Sequence, residues 1–589
     1  MLLGHIHASP IEIHTDTLFQ HHITKKGCLL AYSPCFETFH TYSLSYENAV
    51  LLIIGRIDNL PAIRQHLVLF PLASPEAVLL AAFKQWGTAL AEKLIGDFYV
   101  IIWQEDKQQC HIATSPSPLT PLFYSVQDQG LIFSNHFPTL KKQLHTGLTL
   151  QPRKIVELLL YDFQDPQQTY YQEIQRLPAG HQLNWRQQHL TVRRFWTPSS
   201  NNMLEDHSAE DCHELIHHTL KTAIDCRLPY DKKCISTQLS GGLDSSAITA
   251  MAATHYPDHT FHSYTSVPPH GFTFPHHASQ SLDDRHLAQT LIDQHPNLTP
   301  HWVEENPQYA LSETTRFLLD HTDGPTQNAF NFPWFYRTFQ LSAQHGAPLL
   351  LTGAMGNLTL SWSGLKTHFW NIANKHLDYS LARISQWGQT DQPWWLEETI
   401  LKTSALKHYE LGQLKPHFHH YYYADNPAWY VQDYFDATAE TIGLTNAMRF
   451  NTGVLDIDPT ADQRLIELCL RIPQRHFRKG SLSRTMVRLG LAAYLPPAIR
   501  FNPTRGLQCT TWFYQLKATL PYYWQHFEQY RQCDTIQQLL DLTSLETLMH
   551  QAATVDPFDF DPNTLYQEFF NKLGRSLHVC DWLYHFERQ

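Results

Sequence analysis

No CxxC pair occurs in this chain, and its ten cysteines are scattered along it. That pattern excludes a zinc-ribbon framework and a secreted disulfide scaffold. Sustained runs of lysine or arginine are also missing, against a formal net charge of −12. A nucleic-acid ligand needs a concentrated basic face, so that class of partner is excluded. Apolar runs stay short, as in AVLLII (49–54) and PLLL (348–351), far below the ~20 residues that cross a bilayer. The first ten residues, MLLGHIHASP, carry no basic region ahead of a long apolar core, so no signal peptide is expected. Repeats and low-complexity tracts are absent as well. Together these absences point to a soluble, cytoplasmic protein with no membrane association.

What is present suits a large folded protein. The chain has 589 residues, 43% hydrophobic, 13% aromatic and 17% charged. It is too long for one ordinary core, so two or three domains are expected. Its 38 histidines are read as a surface bias, since few fall at ligand spacings. Residues 1–196 are strand-rich, with β-type runs at 49–54, 98–103 and 130–134 and helical patterns at 75–86 and 152–160. The polar stretch TPSSNNMLED (197–206) makes a linker. Beyond it, residues 207–589 alternate helix and strand, with strands at 234–239, 260–267 and 348–352, which predicts a parallel sheet flanked by helices. From about residue 370 the pattern is helical and rich in Trp, Tyr and Phe.

The most telling stretch is SGGLDSS, running from Ser240 through Gly241, Gly242, Leu243, Asp244 and Ser245 to Ser246. It follows the strand-like run ending at Leu239 and precedes a helical run at 247–256. Such a turn presents backbone N–H groups at a helix N-terminus, a ready seat for pyrophosphate. Gly241 and Gly242 let the backbone approach an anion closely. A carboxylate at Asp244 beside phosphates calls for a cation between them, and Mg²⁺ suits the oxygen donors. No Gly-Lys-Ser/Thr follows, so this is not a Walker A loop. The bland alternative is a polar turn before an ordinary helix.

SGGxDSS resembles the loop of the ATP pyrophosphatases, and the chain as a whole resembles the asparagine synthetase family. GRIDN (55–59), GDFYVIIW (96–103), PLFY (121–124), RLPAGH (176–181) and RRFW (193–196) are similar to its glutaminase-type first domain. LLLTGAMGNLTLSW (349–362) aligns with SGEGADELFGG, keeping Gly353, with Ala354 in place of the glutamate and Asn357 in place of a metal-holding aspartate. The resemblance implies an α+β N-terminal Ntn-hydrolase-like (glutaminase-type) sandwich. It implies next an α/β ATP-pyrophosphatase (adenine nucleotide α-hydrolase-like) domain with a helical C-terminal part. It also implies ATP and Mg²⁺ as cofactors. ATP would lie on Leu239–Ser246 and Gly353, the metal on Asp244 and Asn357, and substrate along Asn357, Thr359 and Ser361.

Departures from the family pattern narrow the reading. Position 2 is Leu2, where the family's first domain uses a cysteine nucleophile, and Ser115 replaces an aspartate. Glutaminase activity is therefore not expected, and residues 1–196 are read as a remnant or docking surface. Arg484, in GSLSRTMVR, takes the place of a phosphate-contacting lysine. Thr504 takes the place of the catalytic lysine, with Arg505 one step on, so Arg505, Arg484 and Asp244 become the expected catalytic groups. These features resemble the lasso-peptide macrolactam synthetases, in which a side-chain carboxylate of a precursor peptide is adenylylated and captured by the peptide's own N-terminal amine. That resemblance implies a precursor peptide as partner, with a leader-peptide protease and a leader-recognition protein. Two alternatives stand beside it: a β-lactam synthetase-like ring closure on a small amino-acid derivative, and a non-catalytic nucleotide-binding scaffold. HELIH (213–217) matches a zinc-protease pattern, but Ile216, Leu220, Ala223 and Ile224 form an ordinary apolar stripe on the same helix. The cluster HFHHYYY (417–423) is read as surface and partial core.

Overall fold

The computed structural model describes residues 1–6, 19–33, 39–116, 121–127, 130–144, 147–160, 163, 165–228, 233–363, 399–411, 427–438 and 442–588. The 417–423 cluster and part of the helical expectation beyond residue 370 lie outside them.

Short apolar runs bounded by turn residues drive the first third of the chain into strands. These are β1 (Leu2–Ile6), β2 (His21–Lys25), β3 (Cys28–Tyr32), β4 (His40–Tyr46), β5 (Ala49–Ile57) and β6 (Gly96–Gln104). They continue as β7 (Gln109–Thr114), β8 (Leu122–Gln127), β9 (Gly130–Ser134), β10 (Gln175–Leu177), β11 (His181–Arg186) and β12 (His189–Arg194). Two six-stranded sheets result, ordered β10-β8-β9-β1-β3-β2 and β12-β11-β7-β6-β5-β4. β5 and β6 show why they stack. Val50, Leu52, Tyr99 and Ile101 face the other sheet, while Leu51, Ile53, Val100 and Ile102 face helices α1 (Leu60–His66) and α2 (Pro75–Trp86). With both faces buried, such strands read as near-continuous apolar runs. Helices α3 (Phe137–Gln143) and α4 (Pro152–Leu160) cover the outer face of the first sheet, completing a four-layer αββα sandwich.

The stretch 197–206 has no regular structure, yet Leu204 is buried and its N–H donates to Arg471 O at 2.9 Å. The linker is thus pinned to the second domain. That domain opens with α5 (Ala209–Asp225), capped by a reciprocal Ser208–Asp211 box. Then come β13 (Cys234–Gln238), α6 (Leu243–His255), β14 (Thr260–Val267), the two-residue β15 (Gln280–Ser281) and α7 (Arg285–Ile292). β16 (Leu298–Glu304), α8 (Leu311–His321), α9 (Phe332–Gln344), β17 (Leu349–Leu351) and β18 (Leu455–Ile457) follow. The main sheet is parallel in the order β16-β14-β13-β17-β18. The chain builds outward from β13 in one direction and then reverses between β13 and β17. In open α/β sheets that reversal opens the ligand crevice at the C-terminal ends of the strands. The residues after β13 are Leu239 and SGGLDSS.

Helices Trp512–Tyr530, Leu542–Thr554 and Arg575–Phe586 form the C-terminal part, and their core runs on into α4 of the first domain. A second join is ionic. Arg56 of the GRIDN segment contacts Asp58 and Asp97 at 2.6 Å, while Arg227 contacts Asp462 at 2.7 Å and Asp97 at 4.0 Å. Arg464 bridges Asp462 and Asp58 at 2.7 and 3.3 Å. Arg176–Asp323 and Arg194–Asp436 add further cross-domain pairs. The GRIDN, RLPAGH and RRFW motifs thus serve, in part, to dock one domain on the other.

Candidate active site

The loop after β13 forms as a strand-to-helix turn. Leu239 is fully buried, and its N–H donates to Tyr264 O while its carbonyl accepts from the Thr265 hydroxyl. The strand end is therefore clamped to β14 before the chain turns outward. Gly241 sits at φ +69, and a Cβ there would lie 2.6 Å from Leu287 Cβ. Both its conformation and its space require glycine. Gly242, by contrast, has an ordinary extended backbone and is needed only as an open approach beside the loop. No side chain caps α6, so its first-turn N–H groups remain available to an anion. The helix starts at Leu243, four residues earlier than the apolar run suggests, because Asp244 and the two serines occupy its first turn.

Asp244 is the focus of the site. One carboxylate oxygen, Oδ2, accepts from Ser361 Oγ at 2.7 Å, and the other is buried with no hydrogen-bond partner. Burial lifts its pKa to about 6 against the opposing Ser361 hydrogen bond and the Arg484 charge. An orphaned carboxylate oxygen in such a place fits a cation. The turn carrying Gly353, Ala354 and Gly356 lies directly against it. A Cβ on Gly356 would approach Asp244 Cγ to 2.1 Å, and one on Gly353 would sit 3.2 Å from Ser245 N. This turn is held from behind by Asp458, whose Oδ2 accepts from Met355 N at 2.8 Å and whose Oδ1 accepts from Thr460 N at 2.8 Å. Asn357 is exposed beside Asp244, and Ser361 Oγ also approaches Asn357 Oδ1 at 3.4 Å.

Arg484 and Arg505 lie near enough for their charges to act on each other. Arg484 adopts a left-handed conformation, φ 60, ahead of a short helix. Burial pulls its pKa down, Asp244 raises it, and Arg505 opposes it as a second positive charge. Arg505 is exposed and lies in a two-residue strand with Gly506, paired with β15. Two mutually repelling cations facing one region, with a partly satisfied carboxylate beside them, suit a polyanion bound with a divalent metal.

Three expected contacts are corrected. Thr359 is fully buried, and its hydroxyl is shared between Met355 O and Thr460 O at 3.3 Å, so it braces the turn and faces no substrate. Ser361 is buried too, and its hydroxyl is committed to Asp244. Ser246 is buried with its hydroxyl unpartnered, pointing behind the loop, whereas Ser245 Oγ meets Ser240 Oγ at 3.0 Å on the open side. Leu239 and Leu243 likewise contribute backbone alone, since both side chains are buried.

Two residues escaped the sequence reading. Glu305, just past β16, is buried and accepts from Ser266 Oγ, Thr510 Oγ1 and Thr511 N at 3.1, 2.9 and 3.0 Å. It ties the RGLQCTTW segment, and so Arg505, to the C-terminal edge of the sheet. Asp284 has one buried oxygen without a partner, and a Cβ on Gly506 would sit 1.9 Å from the other. The doubled aspartate of SLDDR ahead of α7 was the available signal.

The zinc-protease pattern does not assemble. His217 Nε2 is bonded to Tyr494 Oη at 2.8 Å, and His213 packs against Gly490. At the other end, Leu2 is fully buried in β1 between the two sheets, its N–H donating to Asn135 Oδ1 at 2.9 Å.

Comparison with known proteins agrees with this architecture. Residues 42–196 match the glutamine amidotransferase domain, and residues 215–567 match asparagine synthase. Asparagine synthetase [glutamine-hydrolyzing] 3 of Bacillus subtilis is 25% identical over 238 residues, 38% of this chain and 37% of that protein. Amidase chry2 of Gibberella zeae is 25% identical over 180 residues, 30% of this chain and 26% of that protein. The match thus spans roughly a third of these relatives or less. Among solved structures, a glutamine phosphoribosylpyrophosphate amidotransferase from B. subtilis, complexed with ADP and GMP, gives a TM-score of 0.22 at 13% identity, covering 44% of this chain and 58% of that one. Among the described residues, no helix is long and apolar enough to cross a membrane.

Proposed function

Because the chain belongs to the asparagine synthase family, we propose that it is an ATP-dependent, amide-forming ligase. Its substrate would be a precursor peptide, as for a lasso-peptide macrolactam synthetase. The carrying observation is a contrast between the two domains. The second keeps an open nucleotide loop with an orphaned Asp244 oxygen, while in the first, position 2 is a buried leucine that cannot attack an amide. An amine already present on the substrate removes the need for ammonia from glutamine.

In this reading ATP is a substrate. A side-chain carboxylate oxygen of the peptide bonds to the α-phosphorus as the bond to the departing pyrophosphate breaks. The peptide's N-terminal amine then attacks the activated carbonyl, AMP leaves, and the amine loses a proton. The chain's own groups divide this work. The α6 N-terminus and Gly241–Gly242 receive the phosphates, and Arg505 and Arg484 stabilise the charge that develops on them. Asp244, and Asn357 through its amide oxygen, would hold Mg²⁺, which when bound neutralises phosphate charge. Ser361 keeps the Asp244 carboxylate aimed, and Ala354 leaves open the place where relatives carry a glutamate. A leader-peptide protease and a leader-recognition protein belong to the same reading as partners.

The test is to incubate the full chain with ATP, Mg²⁺ and a candidate precursor peptide, following pyrophosphate, AMP and peptide mass. Loss of one water from the peptide, with stoichiometric AMP, is expected. Turnover with a small amino-acid derivative alone would favour the β-lactam synthetase type. Nucleotide binding without pyrophosphate release would favour a scaffold.

A further inference from the structure

The histidines do not simply decorate the surface. Strand periodicity places His262 and Tyr264 on one face of β14, and parallel register puts His301 of β16 beside Tyr264. The same face is covered by α9, whose C-cap is His345. Three imidazoles from two strands and a helix end therefore meet. His262 Nδ1 and His301 Nε2 are 2.8 Å apart, and the His345 ring lies 4.6 Å from that of His262 and 4.4 Å from that of His301. One ligand nitrogen from each residue falls within 4.8 Å of the others.

We propose that His262, His301 and His345 form a binding site for a borderline divalent transition metal ion of the zinc, nickel or copper class, on the face of β14 and β16 that α9 covers. Neutral nitrogen donors select these ions over Mg²⁺ or Ca²⁺, which take oxygen ligands. The end of α9 adds the negative pole of a helix, which favours a cation. An outer shell is also in place. Tyr264 Oη meets His345 Nδ1 at 2.7 Å, leaving Nε2 of that ring to ligate, and the Cys234 thiol donates to His345 O at 3.5 Å.

Occupation needs only local movement. Tetrahedral zinc with nitrogen ligands at ~2.0–2.1 Å places them roughly 3.3 Å from one another. The His262–His301 pair must then open by about half an ångström from its hydrogen-bonded 2.8 Å. Whichever of these two rings donates the shared proton would move it to its other nitrogen, freeing both lone pairs for the ion. His345 is the most open of the three, so it can rotate in and gives the ion an entry path, and a fourth position stays open to water. This inference is independent of the ligase reading, because it is argued from the three imidazoles and uses no nucleotide contact.

The experiment uses the full chain without an affinity tag, stripped with a chelator. Zn²⁺ is titrated calorimetrically, Co²⁺ is followed by its visible absorption, and thermal melts are run with and without Zn²⁺. Wild type should bind one tight equivalent, give a tetrahedral cobalt spectrum and melt higher with zinc. H345A, at the C-terminal end of α9, should fold normally yet bind at least tenfold more weakly and lose the zinc-dependent melting shift. H301Q should behave in the same way. Unchanged stoichiometry and affinity in both variants would overturn the site, as would a wild-type chain with no saturable equivalent. Loss on His217→Ala instead would move the metal to the HELIH helix.

Discussion

Asp244 is asked to be ionised in a place that disfavours ions. Desolvation lifts it to about 6 from an ordinary 3.8, so its charged form opposes folding above about pH 6. That cost disappears below the ordinary value, where folded and unfolded chains both carry the proton. Asp244→Asn should therefore melt at or above the wild-type temperature at pH 7.5 while pyrophosphate release falls to background. A folded variant with normal turnover would remove Asp244 from the site. Arg505 gives the complementary case. It is exposed, so Arg505→Ala should leave stability unchanged but lower turnover by roughly 100-fold, with ATP affinity far less affected. Wild-type turnover in that variant would send the search for the cation elsewhere.

At the scale of elements, the site is made by close approach. The turn after β17 can touch the first turn of α6 only because Gly353 and Gly356 carry no side chain. In Gly356→Ala the new methyl would occupy the space of the Asp244 carboxylate, and overpacking of this kind costs about 1–3 kcal/mol. The expected outcome is a modestly lowered melting temperature with turnover reduced at least as much as in Asp244→Asn. Near-normal turnover would show that the turn can yield. Helix α6 itself was underestimated from sequence. Its Ala247, Ala250, Ala252 and Ala253 are all buried, so it lacks the single apolar stripe of a surface helix. Strands β5, β6, β9 and β14 and helices α2 and α4 were legible, since their apolar runs and bounding turn residues are local signals.

The whole molecule is held together by charge as well as by apolar packing. Arg227 and Asp462 are 2% and 1% exposed, and Asp97 and Asp58 of the first domain share their network. Removing one partner of a buried pair strands the other, at a cost of about 3–5 kcal/mol. Asp462→Ala should therefore destabilise the chain by that order and split its thermal transition into two, one for each domain. A single transition at the wild-type temperature would contradict a docking role. Burial alone would raise the Asp462 pKa, but the Arg464 hydrogen bond and the Arg227 charge outweigh it and hold the carboxyl well below the usual range. Its contribution is thus present above the unfolded carboxylate's pKa and is lost as pH falls through the lower folded one. Acid titration of the melting temperature should show Asp462→Ala losing less stability than wild type below about pH 4.

By itself the chain determined its most strongly patterned elements, its two-domain plan, the SGGLDSS turn and the family resemblance. Each of these is encoded in residues close together, through hydrophobic period, turn chemistry or an unbroken motif. Tertiary structure alone decided which hydroxyl serves Asp244, because Ser361 lies 117 residues away and reaches it only after β17 pairs beside β13. It also decided that Thr359 and Ser246 face inward, that Asp458 and Glu305 brace the site, and that GRIDN becomes a domain joint. The histidine trio follows the same rule. Residues 262, 301 and 345 form no motif in sequence, and only the register of two parallel strands and the end of one helix bring their rings together.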